Sequence, residues 1–137
     1  MSADFHSDPG FVFGLFRVVV GHITETTGSG SDPTDKAAAE AEKSLLERFK
    51  SVLQPFVRDN AKLQLTAVYA LQVFCHEQGF PKGLLLRNFV NFYEFDILEE
   101  RAFLQWKEDV NDAYPGKGKA LFQVRTIETA FSGDRIS

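Results

Sequence analysis

Proline and glycine cut this chain into segments of about ten to twenty residues, and from Asp32 onward each segment repeats its apolar residues every three or four positions. Asp32-Pro33 opens the first: Asp32 suits the N-cap, Pro33 the first helical position, and Asp35 the positive end of the dipole. KAAAEAEKSLLERFKSVLQ follows, rich in strong helix formers, with Leu45, Leu46, Phe49, Val52 and Leu53 as its buried stripe. Pro55 is predicted to end or kink this helix near Gln54. Asp59 or Asn60 can cap the next helix, which is apolar on more than half its circumference through Cys75 and so belongs at the centre. Gly79 reads as its left-handed terminator, with Pro81 two residues on. A third helix is predicted from about Lys82 to Tyr93. Asp96 followed by Glu99 resembles a capping box opening a fourth, through Phe103 and Trp106 to about Val110. Tyr114-Pro115-Gly116 breaks it, and Lys117 to Phe131 forms a last amphipathic segment. The pattern implies an all-α fold of stacked antiparallel helical hairpins, an α-solenoid. Upstream, the apolar run Phe11 to Ile23 is too short for periodicity to choose between strand and helix, and Thr24 to Ser31 is a loop by composition. The expected organisation is therefore a weakly ordered segment and linker over 1–31, the helical domain over 32–131, and a frayed tail over 132–137.

A chain of 137 residues with 44% hydrophobic residues is large enough for one buried core without disulfides or metal. Its 14 Phe are many for this length, and each contributes about 1.5–3 kcal/mol when fully buried. Cys75 stands alone, so no intramolecular disulfide can form, and a reducing compartment is expected. No stretch approaches the ~20 apolar residues of a membrane span. Asp4 and Asp8 stand where a signal peptide would carry basic residues. A soluble cytoplasmic protein is expected. A pI near 5.3 disfavours a phosphate-backbone binder, and the cluster Lys117, Lys119, Arg125 and Arg135 is small, so direct RNA binding is not expected.

The acidity is local. From Glu94 to Asp112 there are seven acids (Glu94, Asp96, Glu99, Glu100, Glu108, Asp109, Asp112) against Arg101 and Lys107, a balance of −5 in a chain of net −4. Phe89, Phe92, Tyr93, Phe95, Phe103 and Trp106 alternate with them. An acidic surface on an aromatic core suits a basic partner segment, since complementary charge speeds encounter and fixes register. Charge alone favours the plainer reading, a solvated helix face over ordinary core rings.

Catalytic and metal-binding constellations are missing from the pattern. His6, His22 and His76 have no second His or Cys at ligand spacing. Cys75 and His76, adjacent on a helix, point about 100° apart and cannot act as nucleophile and base. Pro115-Gly116-Lys117-Gly118-Lys119 fails the phosphate-loop pattern, with Ala120 in the Ser/Thr place, and reads as a hinge. Neither enzyme activity nor a cofactor is expected.

Three pieces, YALQVFCHEQGFPKG (Tyr69–Gly83), FVNFYEFDILEERAFLQWKED (Phe89–Asp109) and PGKGKALFQV (Pro115–Val124), carry a specific resemblance. They resemble the C-terminal HEAT-type, two-tryptophan domain of the eukaryotic translation initiation factor 4 gamma family, best in its initiation factor 4 gamma 2 or death-associated protein 5 branch. Asp32 to Val57 matches more loosely. The resemblance implies stacked helix pairs without catalysis, acting as a protein–protein module of an initiation scaffold. It also implies two aromatic-acidic boxes that dock Lys-rich segments of the beta subunit of initiation factor two, or an initiation-pathway kinase. The first box maps onto Tyr93, Glu94, Phe95, Asp96, Ile97, Leu98, Glu99, Glu100, Phe103 and Trp106. Glu108 and Asp109 extend its charge.

The second box departs from the family. Where relatives carry a Trp-containing helix and a Glu-rich tail, this chain reads RTIETAFSGDRIS, without Trp and of net charge 0 (Arg125 and Arg135 against Glu128 and Asp134). The rival expectation is therefore a truncated structural remnant that self-associates and has lost partner binding.

Overall fold

The computed structural model describes residues 8–28, 36–110 and 113–126. They form six α-helices and, among the described residues, no strand: α1 (Pro9–Thr27), α2 (Lys36–Val57), α3 (Ala61–Glu77), α4 (Leu84–Glu94), α5 (Glu100–Glu108) and α6 (Lys117–Gln123). The fold is all-α, as the punctuation implies. The expected caps Asp32-Pro33, the last part of the Lys117–Phe131 segment and the tail over 132–137 lie outside the described residues.

The N-terminal expectation needs correction. Residues 9–27 are not a weakly ordered segment but a helix built into the core. Asp8 caps it, its Oδ1 accepting from Gly10 N–H at 3.0 Å, and Pro9 occupies its first position. Gly28, with φ +73°, ends it by donating to Thr24 O at 3.0 Å. Val12, Phe16, Val19, Val20 and Ile23 are all buried, at spacings only a helix puts on one face. Burial and two good caps outweigh the low helix preference of the valines.

Pro55 does not end α2. The helix runs on to Val57, held by Leu53 and Val57, both fully buried on either side of the proline. Pro55 falls in the last turn, where the forfeited hydrogen bond is one of few that follow, so core contacts carry the helix past it. Asn60 caps α3, accepting from Leu63 N–H at 3.0 Å. As expected, α3 is the central element: it packs against α1, α2, α4, α5 and α6.

Two predicted starts shift as well. Gly83, with φ +79°, stands at the N-cap of α4, so that helix begins at Leu84. Asp96 is not the N-cap of α5. It sits in the turn with φ +62°, while Ile97 and Leu98 both donate to Phe92 O at 3.1 Å and bury their side chains. That double bond satisfies the end of α4 and delays α5 to Glu100, with Glu99 at its N-cap.

The core is aromatic. Phe16 lies 5.9 Å from Phe92 between ring centroids, and Phe89 stands 4.9 Å from Phe103 and 5.1 Å from Trp106, edge-on to the indole. One ion pair joins α2 to α4 in the interior. Arg87 Nε donates to Glu42 Oε1 at 2.6 Å and Nη2 to Oε2 at 3.2 Å, with the Glu42 side chain only 2% exposed. Such a fork matches the planar guanidinium to the carboxylate.

Candidate functional site

The turn from α4 to α5 positions the acidic residues. Glu94 ends α4 and is exposed, as are Asp96 in the turn and Glu99 at the N-cap. Glu100 is half-buried and stands in the first turn of α5, where the helix dipole favours its charge. Glu108 is exposed at the far end of the same helix, and Asp109 follows, half-buried. Beneath this rim lie the rings. Phe103 and Trp106 are fully buried, while Tyr93 and Phe95 are half-buried and pack against the core. The rings thus support the surface rather than form it.

The carboxylates are unequally engaged. Glu99 is 45% exposed at its side chain. One of its oxygens accepts from Gln64 Nε2 at 2.9 Å, and Arg101 stands 3.6 Å from the other. Gln64 completes a two-way clamp, because its Oε1 also accepts from the Glu99 backbone N–H at 3.0 Å and its Nε2 donates to Val57 O at 3.0 Å. Gln64 is buried, so α3 fixes where α5 begins. Beside the clamp opens a polar cleft of about 400 Å³, lined by Gln54, Arg58, Asp59, Gln64, Asp96, Ile97 and Glu99. Gln54 Nε2 donates across it to Asp96 O at 2.8 Å.

Asp109 belongs to a different group. Its Oδ2 accepts from the Tyr69 hydroxyl at 2.5 Å, and Lys117 Nζ donates to Tyr69 Oη at 3.0 Å and to Asp109 O at 2.6 Å. The same ammonium lies 4.9 Å from the Tyr69 ring centroid and 5.1 Å from that of Trp106. Burial, with the Asp109 bond next, pushes the Tyr69 phenol well above its ordinary value. Burial also lowers the Lys117 ammonium, against the opposing charge of Asp109. Gln72 fixes the geometry: its Oε1 accepts from Trp106 Nε1 at 2.8 Å, and its Nε2 donates to Pro115 O at 2.7 Å. Gly116, with φ +86°, then turns the chain into α6 and delivers Lys117 over the rings.

The sequence reading missed Gln64, Gln72, Tyr69 and Lys117. A signal for the glutamines was present, since both interrupt a helix whose surroundings leave no water for an amide. Cys75 and His76 face different surroundings, the thiol buried and the imidazole exposed. Among the described residues no three His, Cys, Asp or Glu side chains gather as a metal site would require. Nor is any described helix long and apolar enough to cross a membrane.

Residues 63–130 match the W2 family, described as eIF4-gamma/eIF5/eIF2-epsilon. The chain is 49% identical over 140 residues to eukaryotic translation initiation factor 4 gamma 2 of Mus musculus, covering 95% of this chain and 16% of that protein. The Homo sapiens and Bos taurus proteins of the same name give the same 49% identity over 95% of this chain, and 15% of their own length. It thus spans about a sixth of the curated relatives it matches. The helical fold, the position of the match over α3 to α6 and this identity agree: the chain carries a W2-type domain of the initiation factor 4 gamma family.

Proposed function

We propose that this chain is a non-catalytic docking module of an initiation factor 4 gamma-like scaffold, which binds a basic partner segment in the cytoplasm. The supporting observation is that Glu94, Asp96, Glu99 and Glu108 are exposed and Glu100 half-buried between the end of α4 and the end of α5, while Phe103 and Trp106 of that stretch are buried. The partner class is a Lys-rich segment such as that of the beta subunit of initiation factor two, or of an initiation-pathway kinase. Each exposed ion pair contributes only about 0–1 kcal/mol, so several carboxylates must act together and affinity must fall with salt. Titration of a fluorescent Lys-rich peptide from that beta subunit tests this at 50 and 200 mM salt. The expected result is salt-sensitive binding that Glu99→Lys with Glu100→Lys weakens at least tenfold. An affinity indifferent to that double change removes the surface from consideration.

A second reading, self-association without partner binding, is favoured by the exposed apolar residues Phe11, Val18 and Phe122. Light scattering of the purified chain separates the two. A monomer supports the docking module, and a dimer lost on Phe122→Glu supports self-association.

A further inference from the structure

An ammonium group needs anionic or carbonyl oxygens within hydrogen-bond reach and gains more where aromatic faces exclude water. Tyr69, Trp106 and Asp109 supply all of these at one point, and the group already there is this chain's own Lys117. The Tyr69 hydroxyl donates to Asp109 Oδ2 at 2.5 Å, which leaves its lone pair facing Lys117 Nζ at 3.0 Å. The Asp109 carbonyl accepts a second bond from that nitrogen at 2.6 Å. Two ring faces complete the enclosure, and Tyr114 walls it, its ring stacked 4.5 Å from Tyr69. The enclosure is prearranged by residues other than the lysine, chiefly Gln72 holding the Trp106 indole.

We propose that Tyr69, Trp106 and Asp109 form a binding site for a primary ammonium group, filled by Lys117 in the free chain and vacated for a lysine of the basic partner. This deepens the docking reading and rests on it for the partner's identity, though not for the site. Lys117 stands at the start of α6, a helix of seven residues entered through a glycine turn, so its side chain can swing out without unfolding the core. Burial has already loosened its hold on the proton, as expected of an ammonium that has given up part of its water. The nine steps from Glu100 along α5 to its C-cap Asp109 span about 14 Å, a distance that about four residues of extended chain cover. One Lys-rich segment could therefore meet the Glu99–Glu100 end and this site together.

Trp106 is the sole tryptophan, so its emission reports on the enclosure alone. The test titrates n-butylammonium chloride, against sodium chloride of equal ionic strength, into the full chain, Lys117→Ala, and Lys117→Ala with Asp109→Asn. Lys117→Met serves in place of Lys117→Ala if circular dichroism shows the latter unfolded. Expected is a saturable change in Trp106 emission for Lys117→Ala, at least threefold larger than in the parent and lost in the double variant. The same Lys117→Ala chain should bind the Lys-rich peptide about three- to tenfold tighter than the parent. An emission that follows sodium chloride alone overturns the ammonium site. Peptide affinity unchanged or weakened by Lys117→Ala, with Glu99 and Glu100 still required, overturns displacement and leaves the docking reading standing. Peptide that binds no variant sinks the docking reading, while the butylammonium titration still decides the site.

Discussion

Arg87→Met should be among the most damaging single changes outside the aromatic core. The guanidinium fork to Glu42 closes at 2.6 and 3.2 Å around a side chain that is 2% exposed, while Arg87 itself is 18% exposed. Removing the cation strands a carboxylate with almost no access to water, and breaking a buried pair from one side costs about 3–5 kcal/mol. For a chain of this size that amounts to a fall in Tm of about 10–20 °C. The intact pair is worth much less than this, because both ions lost their hydration when they were buried. Replacing both partners, Glu42→Gln with Arg87→Met, should therefore recover all but about 1–2 kcal/mol. Urea unfolding followed in parallel by ellipticity at 222 nm and by Trp106 emission measures all four corners of the cycle, and coincident transitions check two-state behaviour. The reasoning is refuted if Arg87→Met costs less than about 1 kcal/mol, or if the double variant is as unstable as the sum of the single ones.

Gly116→Ala should cost about 2–4 kcal/mol, because a Cβ there meets Phe80 Cζ at 2.9 Å as well as requiring φ +86°. Gly83→Ala is its control, with φ +79° but nothing within 4 Å, and should cost only about 1–2 kcal/mol in the same melt. Gln72→Leu strands both the Trp106 indole N–H and the Pro115 carbonyl, a loss of about 2–4 kcal/mol that red-shifted or quenched Trp106 emission should accompany. Burial pushes the Cys75 thiol from 9.0 up to about 12, against a smaller opposing effect of Asn88. The folded chain then keeps a proton that the unfolded chain releases above pH 9.0, so stability must fall as pH rises from there. At 1.36 kcal/mol per unit the loss reaches about 2 kcal/mol by pH 10.5, and Cys75→Ala should abolish it in urea melts across that range. The raised Tyr69 phenol adds a loss above pH 10.0 that remains in both proteins.

The helical class, the central place of α3 and the acidic rim could be read from residues alone, because each rests on local rules of period, cap and turn. What escaped the sequence was decided by tertiary contacts. Pro55 looks like a stop until Leu53 and Val57 are both found in the core. Asp96 and Glu99 look like a capping box until Gln64, from a helix 35 residues earlier in the chain, takes the Glu99 carboxylate and backbone N–H for itself. The same distinction divides the proposed docking surface. Charge counting assigned Asp109 and Glu108 the same role, yet the structure puts Glu108 in solvent and gives Asp109 to Tyr69. Lys117 reads as part of a hinge, and by position it is one, but the hinge serves to place its ammonium against two rings and the Asp109 backbone carbonyl. A sequence can announce how much negative charge a surface carries. Which carboxylates are open to the proposed basic partner depends on the donors that the fold has already brought to them, and at Asp109 that donor is the Tyr69 hydroxyl.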